Sequence, residues 1–600
     1  MNTKNTLVWF VTAAGLFVAI ILLDRFHRPP AVAAGNVLSG LQASAVTSLQ
    51  LIPAGALEIR ADRQDGAWLL AKPVPYPAQS AAVEALLDAL QKLTPATRIS
   101  AGEVHAHRTA DADFGFDPPQ ISLAITAGDR RWQLQVGNKT APGDQVFLRL
   151  VGVEGAFVTD AGWLKLIPRS AGDWRSTALV AADADNCDAI VLTNGAKIVE
   201  LRRDTTNHLW RMIRPLPARA DSDRITDALQ RLLAAQAVKF VTDDPKADLT
   251  AFGLQPADLD LWLERGTNLI SALHTGKNVT NETAQIYARR ERWDVVFTTA
   301  SSPLAPWHGT VNDFRDPHLL ELTGPVAEIE MHGALDFTLQ RQGTNDWQVA
   351  GEKFPVDADT VQLFLKTLAG LRVTEFVKDV VTAPDLAAYG LTAPARQVTL
   401  RAAAGGTNAV IAQLDFSVQT NGIFVHRADE DFIYAITPED FNTLFGEGSL
   451  FAAGWEFRER RIAHFSENDV AQITLHQNGK TRQLVHDGPN KWSLAAGSQG
   501  IINPPALEET AHRLGELTVL GWMARNVTEP EKFGLKPDNL EMIVELKNGG
   551  KFSVAFGTEL PRANTALAAV TLDGERWAFV FPPVSYQFVS SYLSIPANAP

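Results

Sequence analysis

The sequence predicts an α+β protein in which one N-terminal transmembrane helix precedes four tandem antiparallel repeats, each with the approximate order ββ-α-ββββ. Three observations lead to this prediction. An uncharged apolar run lies near the N-terminus, two motifs recur at a common period along the remaining chain, and alternating runs flank a helical pattern within each period. A chain of 600 residues is also too long for a single core, which favours several domains.

The apolar run covers residues 6–23 and contains no charged side chain. As a helix it would rise roughly 27 Å, close to the hydrocarbon thickness of a bilayer. Because the run is longer than the apolar core of a typical signal peptide, we expect residues 1–30 to form an uncleaved membrane anchor. A cleaved signal peptide is an alternative, since Ala31-Val32-Ala33 offers small residues at cleavage-like spacing. A buried core helix is the third interpretation.

The flanking charges do not decide the orientation of this anchor. Lys4 precedes the run, while Arg25 and Arg28 follow it, so the positive-inside rule is ambiguous. No second long apolar run occurs, and a short N-terminal tail usually precedes a translocated C-terminal part. We therefore expect a single-pass protein of the cytoplasmic membrane whose soluble part lies outside the cytoplasm, in the periplasm or envelope.

Composition narrows the classes of function. The net charge of −14 argues against nucleic-acid binding, which needs a basic face to neutralise phosphates. A content of 46% hydrophobic residues is typical of globular domains rather than of disorder. The single cysteine, Cys187, excludes an internal disulfide, and its neighbours favour a buried apolar role over a nucleophilic one.

Two motifs indicate a fourfold internal duplication. An aromatic-Gly-hydrophobic turn recurs at steps of 138, 137 and 144 residues, and a tryptophan ahead of each turn recurs at steps of 142, 137 and 145. Since both motifs keep one period, we expect repeats at residues 44–182, 186–322, 325–465 and 468–600. The glycines are Gly115, Gly253, Gly390 and Gly534, and the tryptophans are Trp68, Trp210, Trp347 and Trp492.

The strands of each repeat are predicted from alternation. In the first copy, runs at residues 57–61 and 67–70 flank an Asp-Gly pair that suits a tight hairpin. Strictly alternating runs at residues 121–125 and 132–137 follow the aromatic-Gly turn and predict half-buried antiparallel strands. A final strand pair completes the unit. Copies one to three then end in an aromatic-arginine pair that copy four lacks: Trp174-Arg175, Phe314-Arg315 and Phe457-Arg458.

One amphipathic helix lies between the two strand sets of each repeat. Apolar residues recur there at the spacing of three and four that is typical of a helix with one buried face. Ser80, Ser222 and Asp359 are candidate N-terminal caps. The predicted buried positions are Val83, Leu86, Leu87, Leu90 and Leu93 in copy one, Ile225, Leu229, Leu232 and Leu233 in copy two, Val361, Leu365, Leu368 and Leu371 in copy three, and Leu507, Ala511, Leu514 and Leu517 in copy four.

No residue pattern indicates an active site. His105 and His107 could share one strand face with Glu103 or Asp111 as metal ligands, but no other copy repeats them, which favours an exposed loop. Residues 183–188 resemble the start of a calcium loop but lack its glycine, and residues 479–481 resemble the end of a phosphate loop but lack its upstream glycine. The sequence therefore predicts no catalytic, cofactor-binding or metal-binding residues, and no enzyme.

The repeated glycines and tryptophans have a structural interpretation. Glycine supplies a positive φ at each turn, and each tryptophan packs over its helix as a core anchor. The alternative is a ligand platform, because four similar sites could bind a repeating polymer.

These motifs resemble a bacterial family called domain of unknown function 4340. The resemblance rests on residues 65–78, on the helix that follows, on residues 114–119, and on the corresponding segments of later copies, and it covers most of residues 46–600. Members of that family are typically membrane-anchored and often encoded beside ABC-transporter components of the gliding-motility type. The resemblance thus implies an accessory envelope role, and it brings no functional residues with it. Copy four departs from the pattern at residues 496–499, before its helix.

The expected function is therefore a non-catalytic, membrane-anchored envelope scaffold or binding component that works with an ABC-transporter-like membrane complex. A cell-surface polysaccharide-binding or polymer-active protein is the alternative, and a purely mechanical spacer is a third.

Overall fold

The computed structural model describes residues 35–106, 109–322, 324–343, 346–404 and 407–595. The predicted anchor at residues 6–23 lies outside these ranges. Within them, no helix combines the length and apolar character needed to cross a membrane. The chain divides between Arg315 and Asp316 into two compact units. Each unit contains two antiparallel sheets, so the described chain has four sheets of eight or nine strands, one for each predicted repeat.

The first repeat builds a nine-stranded sheet around one amphipathic helix. Its sheet order is β4-β3-β2-β1-β6-β7-β8-β9-β5. The strands are β1 (Ser48–Pro53), β2 (Ile59–Gln64), β3 (Ala67–Lys72), β4 (Tyr76–Pro77), β5 (Thr97–Ile99), β6 (Ile121–Ala127), β7 (Arg130–Lys139), β8 (Gln145–Leu150) and β9 (Ala156–Asp160), and the helices are α1 (Ser80–Gln91), α2 (Ala101–Ala106) and α3 (Ala110–Asp113).

The second repeat has the same nine-stranded order, β13-β12-β11-β10-β15-β16-β17-β18-β14. Its strands are β10 (Ala189–Asn194), β11 (Lys197–Arg203), β12 (Trp210–Arg214), β13 (Ala218–Arg219), β14 (Ala237–Thr242), β15 (Leu259–Arg265), β16 (Asn268–Val279), β17 (Glu282–Arg290) and β18 (Val296–Ala300), with helix α4 (Ser222–Ala234).

The third repeat has eight strands in the order β21-β20-β19-β23-β24-β25-β26-β22. They are β19 (Val326–His332), β20 (Phe337–Arg341), β21 (Trp347–Val349), β22 (Glu375–Lys378), β23 (Arg396–Ala404), β24 (Thr407–Gln419), β25 (Gly422–Arg427) and β26 (Ile433–Ile436), with helices α5 (Ala358–Ala369), α6 (Ala383–Ala388) and α7 (Pro438–Phe445).

The fourth repeat also has eight strands, in the order β29-β28-β27-β31-β32-β33-β34-β30. They are β27 (Val470–Gln477), β28 (Lys480–Gly488), β29 (Lys491–Leu494), β30 (Trp522–Ala524), β31 (Glu541–Leu546), β32 (Lys551–Leu560), β33 (Thr565–Leu572) and β34 (Glu575–Val580), with helices α8 (Pro504–Gly515) and α9 (Pro583–Phe588).

The predicted unit of six strands was too small. It omitted the strand that precedes the first predicted pair, such as β1, and the strand that follows the helix, such as β5. In the first two repeats it also omitted the two-residue edge strands β4 and β13. β5 has only three residues, too few for alternation to appear. The helix carries the chain from one edge of the sheet to the other, because β4 precedes it and β5 pairs with β9 beyond it.

The predicted helix face is the buried one. In α1, Val83, Leu86, Leu87 and Leu90 are buried within a core that also contains Trp68. In the other copies the buried positions include Ile225, Leu229 and Leu232, then Val361, Leu365 and Leu368, then Leu507, Ala511 and Leu514.

The predicted N-terminal caps were misplaced by one or two residues. The N-cap residue of α1 is Gln79, whose side chain makes no capping hydrogen bond. The other caps are Asp221, which accepts a hydrogen bond from the backbone N–H of Arg224, and Asp357, which accepts from the backbone N–H groups of Asp359 and Thr360. The hydroxyl of Ser222 instead accepts a hydrogen bond from the backbone N–H of Trp210 at 2.8 Å. We call the four recurring tryptophans the signature tryptophans. Ser222 therefore joins the signature tryptophan of its repeat, Trp210, to the start of helix α4.

Candidate functional site

The four signature tryptophans are core residues. Trp68, Trp210, Trp347 and Trp492 are only 1%, 2%, 6% and 5% exposed. The indole N–H of Trp492 donates to Glu508 on α8 at 2.8 Å, and the ring stacks on His486. With so little exposed surface, these rings cannot form a platform for a ligand, and the alternative ligand-platform interpretation is wrong for them.

The glycine turns hold the chain close to a neighbouring strand. Gly253 has a φ of 70° and Gly534 a φ of 68°, a region that side chains rarely adopt. A Cβ at Gly253 would lie 2.8 Å from the backbone nitrogen of Lys277, and one at Gly534 would lie 2.7 Å from that of Thr558. The glycines are therefore required by local packing, as the structural interpretation predicted.

The aromatic-arginine pairs lie in what we call tail segments: residues 170–176, 310–315 and 453–459. In each tail the aromatic residue is buried in its own repeat, Phe457 for example packing on Phe337 and Phe364. Its carbonyl accepts a hydrogen bond from the backbone N–H of the helix N-cap residue. These bonds join Gln79 to Trp174 at 2.7 Å, Asp221 to Phe314 at 3.0 Å and Asp357 to Phe457 at 2.8 Å.

The chain after a tail pairs with the next repeat. Following the first tail, the carbonyl of Thr177 accepts from the N–H of Ala237 at 2.7 Å. Following the third tail, the carbonyl of Arg460 accepts from the N–H of Val519 at 2.8 Å. Within each unit, one extended segment thus joins the edge of one sheet to the next repeat, at the first residue of its far-edge strand β14 or three residues before its far-edge strand β30.

The arginine of the first tail enters the second repeat. Arg175 is 6% exposed and donates two hydrogen bonds to the carboxylate of Asp243, at 2.8 and 2.6 Å. Its guanidinium lies 5.0 Å from the ring centroid of Phe240, which also contacts Tyr76 of the first repeat edge to face. Such a forked ion pair over an aromatic ring fixes both position and orientation.

The arginine of the third tail is enclosed by three aromatic rings. Arg458 is 6% exposed, and its guanidinium lies 4.6 Å from the Trp577 ring, 5.5 Å from Phe354 and 6.0 Å from Trp522. It also donates to Asp573 at 2.6 Å. Phe354 belongs to the third repeat, whereas Trp522, Asp573 and Trp577 belong to the fourth. We call Arg175 and Arg458 the junction arginines.

A second arginine strengthens the junction of repeats three and four. Arg525 donates to Glu352 of the third repeat at 2.5 and 3.0 Å, and to Glu575 of the fourth at 2.8 and 3.0 Å. The hydrogen bonds from Arg525 lower the pKa of the Glu575 carboxyl. The hydrogen bonds to Glu575 and Glu352 in turn raise the pKa of the Arg525 guanidinium. The lowered pKa keeps the Glu575 carboxylate ionised at neutral pH, so its bond with Arg525 persists there.

The cysteine has no reactive environment. Cys187 is buried, and desolvation raises the pKa of its thiol to about 11. A thiol with so high a pKa carries almost no thiolate at neutral pH and is a poor nucleophile. This agrees with the apolar core role predicted for it.

The remaining sequence candidates show no ligand geometry. His105 lies on the short exposed helix α2 rather than in a loop, while His107 lies outside the described residues. Residues 182–186 form a helical turn between the first two repeats, and residues 478–479 form the hairpin turn joining β27 and β28. Across the described part of the chain, no three His, Cys, Asp or Glu side chains are placed to hold a metal ion.

The structure contains two polar clusters that were not predicted from the sequence. His274 on β16 lies between Asp260, at 2.5 Å, and Glu291. At the corresponding register of the third repeat, Asp415 accepts hydrogen bonds from Gln397 at 2.7 Å and faces His426. Burial raises the pKa of the Asp415 carboxyl, but hydrogen bonds from His426 and the two neighbouring glutamines outweigh it and lower the pKa. Strand register brings the partners of His274 and Gln397 together across 14 to 18 residues of sequence, so the local residue pattern does not reveal these contacts.

Three segments match one family model, described as a domain of unknown function (DUF4340): residues 68–208, 210–353 and 347–538. Together they cover most of the chain. The chain belongs to the DUF4340 family. The threefold match within one chain agrees with tandem repetition of the DUF4340 unit, and the structure adds a fourth sheet of the same design. No curated protein matches this DUF4340 chain.

Comparisons with solved structures give only weak likenesses. A DNA polymerase sliding clamp from Pseudomonas aeruginosa is 9% identical, with 68% of this chain and 94% of that chain covered, at a TM-score of 0.12. A double mutant of transferrin binding protein B from Haemophilus parasuis is 6% identical, with 75% and 85% covered, at a TM-score of 0.06. At such TM-scores neither likeness supports a shared fold.

Proposed function

We propose that this DUF4340 protein is a membrane-anchored, non-catalytic scaffold of the cell envelope that binds an ABC-transporter-like membrane complex. The observation that carries the proposal is the junction arginine. Within each unit, one buried arginine bonds and stacks on the next repeat, so two sheets are held at a fixed spacing. A fixed spacing between two similar surfaces is what a scaffold needs to position partners relative to each other.

The chemistry of the junctions favours rigidity over hinge motion. At the junction of repeats three and four, Arg458 and Arg525 share the ring of Trp577 at 4.6 and 5.5 Å. A hinge would require both guanidinium groups to leave their aromatic neighbours and carboxylates, which is costly above all for the buried charge of Arg458. Weak, separated surfaces can then act together, since holding them at one spacing raises the effective concentration of the second contact.

The proposal is tested by crosslinked affinity purification of the full-length protein from native membranes, followed by mass spectrometry. We expect ABC-transporter subunits to be recovered with the complete chain, and recovery to fall when residues 1–30 are deleted. Recovery of envelope polysaccharide without membrane proteins would favour the polysaccharide-binding alternative. If the complete chain brings down neither, the scaffold proposal is wrong.

A further inference from the structure

Each of the first three repeats fills one particular sheet edge with its own tail segment. The edge consists of the residues just before the helix N-cap: Ala78 pairs with Arg175, Ala220 with Arg315, and Val356 with Arg458. Where the tail continues, its next N–H donates to the edge, from Ser176 to the carbonyl of Pro77 and from Glu459 to that of Pro355, both at 2.8 Å. The register is the same each time.

In the part of the chain that the structure describes, no tail segment lies on the corresponding edge of the fourth repeat. Asn503 is the N-cap of α8, so residues 500–502 correspond to residues 76–78 of the first repeat. The chain leaves this repeat through α9 and a helical turn at Val589–Leu593 that packs on α8. Among the described residues, the N–H of Asn503 meets no tail carbonyl, and Ile501 is 97% exposed. We call residues 500–503 the open edge.

The side chain beneath the open edge also differs from the other repeats. Strand register places Ile59, Val199 and Phe337 at one inward position, opposite Leu51, Leu192 and Met331. In the third repeat this residue receives the tail, since the rings of Phe337 and Phe457 lie 5.7 Å apart. The fourth repeat has Arg482 there, opposite Leu475.

Arg482 directs a buried positive charge at the open edge. The residue is 8% exposed, and its Nη2 donates to the carbonyl of Ile501 at 2.8 Å. Its Nε meets no hydrogen-bond acceptor, and no carboxylate pairs with it, within the described chain. Burial without a counter-charge lowers the pKa of this guanidinium. An arginine in this situation gains most from a carboxylate, which can accept its forked donors.

We propose that the open edge of the fourth repeat binds an extended segment of a partner protein that carries an acidic side chain, with the backbone extending the edge and the carboxylate pairing with Arg482. The occupant follows from the protein itself, which fills this edge three times with an extended segment in one register. Replacement of the apolar residue by arginine changes the preferred side chain from aromatic to acidic. The inference deepens the proposed scaffold function by giving the chemistry of one partner contact.

The test uses the full-length protein in detergent and two synthetic peptides copying residues 170–179. One is the natural tail sequence; the other carries the change Trp174→Glu. We expect the glutamate peptide to bind about tenfold more tightly, because it supplies the charge-assisted hydrogen bonds that Arg482 lacks. In the variant Arg482→Ile, which introduces the residue of the first repeat, this preference should disappear or reverse. N-methylation of the peptide at the position of Ser176 should abolish binding, because that N–H pairs with the edge.

The control variant is Arg461→Ile, which removes an arginine of the same unit that is 46% exposed and lies outside the open edge; it should bind the glutamate peptide as the unchanged protein does. If neither peptide binds, or if the preference survives Arg482→Ile, the inference is wrong. Failure here with continued recovery of membrane subunits in the crosslinking experiment would overturn the open edge alone. Peptide binding without any such recovery would overturn the scaffold proposal instead. If the protein self-associates and Arg482→Ile abolishes that self-association, the occupant of the open edge is a second copy of this chain. That result would overturn the inference of a different partner protein.

Discussion

Removal of the junction arginine Arg458 should loosen the second unit substantially. The change Arg458→Ala removes a desolvated guanidinium from three aromatic rings, an interaction worth about 2 kcal/mol when water is excluded. The ion pair with Asp573 adds at most about 1 kcal/mol, because the side chain of Asp573 is 71% exposed and the pair is partly screened. We therefore expect a loss of about 3 kcal/mol in the free energy that holds repeats three and four together.

Hydrogen exchange measured by mass spectrometry across a urea series resolves this effect by region. Protection should fall in β30, β34 and the start of α5, while the first unit, at residues 35–315, serves as an internal reference. The matched control is Arg461→Ala, three residues along the same chain. Its side chain is 46% exposed and lies 3.7 Å from Glu516, so its loss should cost at most about 1 kcal/mol.

Equal losses for the two arginine variants would refute the reasoning, since burial would then not distinguish them. A loss spread evenly over both units would refute it as well, because Arg458 contacts only the second unit in the interactions described above.

Three further predictions concern single residues. Burial raises the pKa of the Glu456 carboxyl from 4.5 to about 7, so the folded state holds this proton more tightly than the unfolded chain does. The contribution of this proton to the free energy of unfolding is complete below about pH 4.5 and is lost as the pH rises through 7. The variant Glu456→Gln should therefore match the natural protein in thermal unfolding near pH 4.5 and exceed it by up to about 3 kcal/mol at pH 8, whereas an unchanged difference would contradict the buried carboxyl. Gly534→Ala should destabilise by about 2–4 kcal/mol, because its Cβ would meet the backbone of Thr558. Gly574→Ala, with a φ of 82° but open space, should cost only about 1–2 kcal/mol, and denaturant midpoints compare the two. Cys187 should resist alkylation at pH 8 until the first unit unfolds; rapid labelling of the native protein would disprove its burial.

The repeat architecture was accessible from sequence because its determinants are local. The tryptophan and the glycine turn recur at one period, and each position favours a single residue type. Trp68 fills a core, and Gly534 adopts a positive φ. The helix face was predicted for the same reason, since apolar spacing alone specifies it. Short strands such as β5 have no such local pattern, and they form because the neighbouring strand β9 offers a free edge.

The junctions were not accessible because their partners are distant in sequence. The pairs Trp174-Arg175 and Phe457-Arg458 were visible as repeated segments, but Arg175 meets Asp243 across 68 residues and Arg458 meets Asp573 across 115. The same limit applies to Arg482, whose significance depends on strand register. Only when Ile59 and Phe337 are seen at the corresponding position does the arginine stand out as a change in the chemistry of the edge.

The most direct test of the scaffold account is a distance measurement across the junction of repeats three and four. Spin labels at Val380→Cys and Val584→Cys occupy positions that are 69% and 56% exposed, and the natural Cys187 is buried. Double electron–electron resonance should give one narrow distance distribution, which broadens when Arg458→Ala is added. A broad distribution in the otherwise natural protein, or one that Arg458→Ala leaves unchanged, would contradict the claim that junction arginines hold the repeats at a fixed spacing.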